Sequence, residues 1–174
     1  AVLRTLEHSN VCVTQVDNEQ RLYRYHRLFA DFLRNQVNRL YPDELPGLHL
    51  ITAQWYEAAG RWIPAIEHAL ASGQVAYTLL LLETHTNSLL FQGRYHLLAR
   101  WLDTLPGESL RAKPQLRIAH IWALTFTGRS TQGLRMLKAF ESDNSGIALT
   151  QDVLDELKFM HPFILMILDQ HADG

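Results

Sequence analysis

The chain of 174 residues carries nine histidines and one cysteine, Cys12, the residue types that would first suggest a metal centre. His68, His85, His96, His120 and His161 show no pair at i, i+4 spacing and no cysteine beside them. The ligand spacing of a zinc site is therefore missing, and no metal is expected. A lone cysteine also rules out an intrachain disulfide. Glu7, Asp31, Glu57 and Asp103 fall in no frame that would bring two carboxylates to one bond, so they read as solvated faces. No glycine precedes a lysine, which removes the phosphate-cradling loop of nucleotide hydrolases. With no nucleophile, base and orienting group arranged by any motif, no catalytic residue is assigned and the chain is not expected to be an enzyme. Binding candidates remain. Arg61, Trp62 and Arg94 stand beside turns, where they could form a ligand rim, and His26 ends a strand pattern, where it could cap the helix behind it.

The elements that must hold these residues announce themselves by a repeated phrase. Trp55-Tyr56-Glu57-Ala58-Ala59-Gly60-Arg61, Leu89-Leu90-Phe91-Gln92-Gly93-Arg94-Tyr95 and Leu124-Thr125-Phe126-Thr127-Gly128-Arg129 each end an apolar helical pattern in a Gly-Arg pair. The glycines lie 33 and 35 residues apart, the period of a repeat made of one helical hairpin. Such hairpins bury their apolar stripes only by stacking, which creates an extended concave surface where a partner or ligand is held. The tetratricopeptide pattern wants a small residue five positions after the turn glycine. Ala65 and Gly133 satisfy it, while Leu98 departs from it.

Helices are expected near 46–59, 62–72, 75–92 and 94–104, with Pro106-Gly107 closing the last hairpin. A fifth starts at Pro114 and runs through Phe126; a sixth, capped by Ser130, runs to Phe140; Glu141 to Gly146 reads as a loop. A seventh, capped by Thr150, should be kinked or divided at Pro162. Leu48, Ile51, Trp55 and Ala58 share one face of the first of these helices, and Trp55, Trp101 and Trp122 are expected in the core between repeats. Before residue 45 the pattern differs. Leu3, Leu6 and Glu7 suggest a helix end, and β-branched and aromatic runs at 11–16 and 21–25 flank a polar turn at Asp17-Asn18-Glu19-Gln20. Leu28, Phe29, Phe32, Leu33, Val37 and Leu40 then fall at helical spacing up to Tyr41-Pro42. The expected fold is mainly α: a tetratricopeptide-like helical-hairpin solenoid over 45–174, incomplete, preceded over 1–44 by a partial winged helix with one β-hairpin.

Composition narrows the function class. The chain is 47% hydrophobic with a formal net charge of −2, and no run of Lys and Arg reaches the length of a nucleic-acid patch, so DNA binding by this segment is not expected. No signal-peptide pattern or membrane-length apolar run is present, which makes a cytoplasmic location the expectation. Ala1-Val2-Leu3-Arg4 begins inside an amphipathic pattern and His171-Ala172-Asp173-Gly174 follows an apolar run, as expected of a piece of a larger protein.

Four strings carry a resemblance to a known family: Tyr23-Arg24-Tyr25-His26-Arg27-Leu28-Phe29-Ala30-Asp31-Phe32-Leu33, Ala53-Gln54-Trp55-Tyr56-Glu57-Ala58-Ala59-Gly60, Ala65-Ile66-Glu67-His68-Ala69-Leu70-Ala71-Ser72-Gly73 and Arg100-Trp101-Leu102-Asp103-Thr104-Leu105-Pro106. In order and spacing, from about Leu3 to Leu137, the chain resembles the MalT-like, LuxR-type transcriptional regulators of bacteria. The resemblance implies the end of a winged helix and the start of a helical sensor domain. An ATP-binding signal-transduction ATPase module and a C-terminal LuxR-type helix-turn-helix would lie elsewhere in the parent protein, so ATP or ADP and DNA would be met there and no cofactor is expected in this fragment. It also implies a role for His26. Related ATPases place a winged-helix histidine, usually followed by aspartate, against the β-phosphate of ADP, and an imidazole can donate to an anion without carrying a permanent buried charge. Arg27 stands where that aspartate would be. On this resemblance the helical region would bind a small-molecule inducer or regulatory protein and pass its state to the ATPase module. The alternative is a tetratricopeptide-like interaction scaffold of another multidomain signalling protein, one carrying a cyclase or kinase domain.

Overall fold

The computed structural model describes residues 13–15, 23–143 and 150–172. The expected helix end at Leu3 to Glu7, Cys12 and the turn at Asp17 to Gln20 lie outside them. Contacts divide the chain into two compact units, Ala1–Leu48 and His49–Gly174.

In the first unit, strands β1 (Val13–Gln15) and β2 (Tyr23–Tyr25) pair antiparallel, with Val13 opposite Tyr25 and Gln15 opposite Tyr23. Helix α1 (Arg27–Leu40) follows at once, and Tyr41 leaves the helical region at φ −137° ahead of Pro42, as a residue before proline must. A short 3₁₀ turn, Pro42–Glu44, leads into α2 (Leu45–Ala58).

The second unit is helical throughout its described residues: the rest of α2, then α3 (Trp62–Ala71), α4 (Val75–Phe91), α5 (Tyr95–Thr104), α6 (Gly107–Arg111), α7 (Pro114–Phe126), α8 (Ser130–Asp143) and α9 (Gln151–Ala172). Among these residues no helix is long and apolar enough to cross a membrane.

The three Gly-Arg turns share one hydrogen-bond pattern. Arg61 N–H donates to the Tyr56 carbonyl and Gly60 N–H to Glu57; Arg94 donates to Leu89 and Gly93 to Leu90; Arg129 donates to Leu124 and Gly128 to Thr125. These six-to-one and five-to-two bonds define a Schellman end, which requires a left-handed residue at the glycine position. Gly60, Gly93 and Gly128 take φ of 68°, 67° and 78°. The recurrence read from the sequence is thus a backbone requirement for glycine, and the arginine follows it as the donor of the long bond.

Helices α3 and α4 pack together, α4 contacts α5 and α7, α5 lies on α7, and α7 lies on α8, which with α7 supports α9. Ala65 is fully buried on α3, and a methyl group on Gly133 would meet Thr125 Oγ1 at 3.0 Å, so both small positions are sites of close helix approach. Two apolar cores result. One runs from Ala53 through Ile66, Leu82, Leu98 and Trp101 to Ala123; the other gathers Ile118, Leu137, Phe140, Val153, Met160 and Ile164. Helix α7 contributes to both.

Several expectations are corrected. Gly107–Arg111 forms a helical turn that the proline and glycine concealed, anchored by buried Leu110 and by Ser109 N–H donating to the Pro106 carbonyl. Helix α8 continues through Asp143 into the segment read as a loop, its last turn held by Arg117 at 2.9 Å from the Asp143 carboxylate. Ser130 does not cap forward; its hydroxyl reaches back to the Thr125 carbonyl. Pro162 does not divide α9, because fully buried Met160 and Ile164 pin the turns on either side of it. Helix α2 turns Ala53 inward and leaves Leu48, Ile51 and Trp55 exposed, so Trp55 is no core residue, whereas Trp101 is.

Candidate functional site

An aromatic concavity of the second unit draws its lining from four helices. Leu90 and Phe91 come from the end of α4, Tyr95 from the start of α5, Trp122 and Phe126 from α7, and Glu156, Phe159 and Phe163 from α9. The Schellman turn at Gly93 joins the first two helices through three residues, and Phe91 and Tyr95 on either side of it both line the opening. The i, i+4 spacing of Trp122 and Phe126, and of Phe159 and Phe163, stacks each pair on one helix face.

The rings form a continuous surface. Tyr95 stacks on Phe126 at 4.6 Å between centroids, Phe126 on Trp122 at 5.6 Å, and Phe163 sits edge-on to Trp122 at 5.5 Å. Phe159 stacks on Phe163 at 5.6 Å. The cavity holds about 490 Å³, within the range of small-molecule sites. Phe91 is 98% exposed at its rim, an unusual position for a phenylalanine. One polar contact fixes the wall: the Trp122 indole N–H donates to Glu156 Oε1 at 2.6 Å. Glu156 also lines an adjoining cleft of about 230 Å³ with Asn87, Gln115, Thr150 and Asp152.

Behind α7, on the first core, lies a polar knot. His120 is buried, and its Nε2 sits 3.0 Å from Asp103 Oδ1, while Arg129 donates to Asp103 Oδ2 at 2.7 Å. Burial pushes the His120 imidazole below the ordinary histidine range, against the pull of Asp103. Burial acts to raise Asp103, but the hydrogen bonds from Arg129 and His120 outweigh it and hold the carboxyl below the usual carboxylate range. A neutral His120 therefore donates Nε2–H to a charged Asp103, which leaves its buried Nδ1 without a hydrogen-bond partner among the described residues. Asp103, read from sequence as a solvated face, is a structural acceptor. So is Glu57, which takes the Tyr77 hydroxyl at 2.6 Å; burial, with that bond, pushes the Tyr77 hydroxyl up to about 12.

The candidates named from sequence are dispersed. His26 is exposed at the N-terminus of α1, and its side chain makes no capping hydrogen bond. Arg61 lies over the Tyr56 ring at 5.2 Å, and Trp62 is half-buried and stacked on His85 at 5.4 Å. Arg94 is exposed beside its turn. None of these lines the aromatic cavity. His49 and His68 meet at 2.8 Å between their Nδ1 atoms, and burial followed by the neighbouring His49 lowers the His68 pKa. Among the described residues no group of three or more His, Cys, Asp or Glu could hold a metal ion. The signal that would have found the cavity is aromatic placement at matching distances from the turn glycines: Phe91 and Phe126 two residues before, Tyr95 two after.

Residues 1–45 match the family described as the MalT winged helix domain. The HTH-type transcriptional regulator MalT of Cronobacter sakazakii is 30% identical over 144 residues, 83% of this chain and 16% of that protein. MalT of Serratia proteamaculans is 34% identical over 120 residues, 69% of this chain and 13% of that protein. The serine/threonine-protein kinase PknK of Mycobacterium tuberculosis is 27% identical over 173 residues, 99% of this chain and 16% of that protein. No solved structure matches the chain significantly. The chain is MalT-like, its first 45 residues matching a MalT winged helix domain. It spans about one sixth of the length of the curated relatives it matches.

Proposed function

We propose that this chain is a regulatory and sensor segment of a LuxR-type transcriptional regulator that acts in the cytoplasm. Residues 45–174 are the beginning of a tetratricopeptide-like helical solenoid; three Schellman turns at near-constant spacing and the close approaches at Ala65 and Gly133 support that assignment. The aromatic cavity receives an effector, and occupancy shifts the population of the segment between states. That shift is passed to an ATPase module of the same polypeptide and from there to a C-terminal helix-turn-helix that binds DNA. The observation that carries this is the order of parts: a MalT-type winged helix followed directly by a helical unit with an open, preformed, aromatic-walled cavity.

His26 is the residue through which nucleotide state is felt. Its imidazole is exposed and not engaged by α1, leaving it available to an ADP phosphate on the ATPase module. In the intact parent, His26→Ala should speed ADP dissociation roughly tenfold or more, since a hydrogen bond to a charged group is worth about 1.5–3 kcal/mol, and should raise basal transcription. Unchanged dissociation would remove His26 from the mechanism.

A second reading has its own support. The PknK relative matches nearly the whole chain, so the same helical unit could serve as an interaction scaffold in a signalling protein built around a kinase. The sequence flanking this segment in its parent decides between them. A phosphate-binding glycine-lysine loop upstream and a helix-turn-helix downstream fit the regulator; a kinase domain upstream with no helix-turn-helix overturns it. Under either reading the purified segment neither hydrolyses ATP nor shifts DNA in a gel, and measured turnover would contradict both.

A further inference from the structure

The aromatic cavity and the adjoining cleft share Leu90 and Glu156, and so border one another along one stretch of surface. Its chemistry is one-sided. Among the described residues, the only carboxylates in the lining are Glu156 and Asp152, and no lysine, arginine or histidine lines either part. Other carboxylates on this unit do have cationic partners. In the groove beside α6, Glu108 pairs with Arg111 at 3.3 Å and Asp143 with Arg117 at 2.9 Å. Lys158, two residues from Glu156, is committed to Asp155 at 2.9 Å. Glu156 and Asp152 have no cationic partner among the described residues. The Trp122 indole fixes Glu156 without neutralising it, because N–H donation brings no formal charge. The carboxylate is thereby held against a wall of ring faces.

We propose that this stretch of surface binds an organic cation with an aromatic or apolar body: the body lies among Trp122, Phe126 and Phe163, and the ammonium group faces Glu156 and Asp152. This rests on the cavity being the effector site, and adds the class of effector. Aromatic faces attract cations through their quadrupole, with tryptophan the strongest, and two unmatched carboxylates attract the same charge. An anionic ligand would meet repulsion and find no cationic group to receive it. A neutral ligand of the same shape would gain only the apolar contact.

Isothermal titration of the chain at low ionic strength with phenethylammonium, phenylacetamide and phenylacetate tests this, because the three share a phenyl body and differ in head charge. The expected order is cation, then amide, then carboxylate, with the cation at least about tenfold tighter than the amide and losing affinity as salt is raised. The double variant Glu156→Gln/Asp152→Asn keeps an oxygen acceptor for the Trp122 indole and removes both charges, so the cation should fall to within about twofold of the amide. A thermal melt of the variant confirms that it is folded. If phenylacetate binds as tightly as the cation, or the variant keeps the cation preference, the charge assignment is wrong while the cavity stands as a binding site. If none of the three binds and the tryptophan fluorescence is unmoved by all of them, the assignment of the cavity fails as well.

Discussion

The two faces of α7 are built on opposite principles. On one, His120 is buried and closed off by Asp103 and Arg129, and Leu116, Ala123 and Leu124 are sealed in core. On the other, Trp122 and Phe126 stand in an open cavity with Phe159 and Phe163 opposite. Both faces contain large side chains and a carboxylate partner, yet only the first is closed. The contrast separates frame from site: the closed face fixes where α5, α7 and α8 lie, and the open face then has its rings positioned by helices that cannot easily move.

That separation can be broken by mutation. Leu124→Ala and Leu98→Ala remove fully buried side chains and should each cost about 2–5 kcal/mol in urea unfolding. Phe159→Ala, at a 60% exposed position, should cost about 1 kcal/mol or less, the scale of the ring contacts it makes. Equal losses at Leu124 and Phe159 would mean that the cavity wall is simply more core. Next in size is Asp103→Ala, which strands the buried His120 Nε2–H and should cost roughly 1–3 kcal/mol; a neutral result would show the knot to be ornamental. Gly93→Ala forces a side chain into the left-handed region and should cost about 1–2 kcal/mol, with the turn that sets Phe91 against Tyr95 disturbed in proportion.

The pH dependence belongs to the closed regions as well. The folded pKa values of His120 and His68 are lowered from 6.5, so the unfolded chain takes up protons first on acidification. Their contribution is therefore fully present above about pH 6.5 and declines as pH falls through that value. The urea midpoint should drop between pH 7.5 and pH 5.5, and His120→Gln should flatten part of that drop. A midpoint that rises on acidification would contradict the arrangement.

How legible each region is from sequence follows from how local its cause is. The Gly-Arg turns could be read directly because the left-handed glycine and the donor after it are adjacent residues. Helix limits at Tyr41-Pro42 and Pro114 were equally local. Asp103, His120 and Arg129 could not be assembled, since the bonds join positions 17 and 26 residues apart across helices whose register no short motif fixes. The cavity is harder still, drawing its wall from four helices between Leu90 and Phe163. Trp55 falls outside the core for a related reason: periodicity finds an apolar stripe, and here the stripe of Leu48, Ile51 and Trp55 is exposed while Ala53 carries the contact.

Hydrogen–deuterium exchange of the chain with and without saturating phenethylammonium tests the central claim, that the open face of α7 is the site where an effector is held. The account predicts added protection around 90–95, 122–126 and 156–163. Protection confined to the turns at Arg61, Trp62 and Arg94, or exchange unaltered along the whole chain, would contradict it.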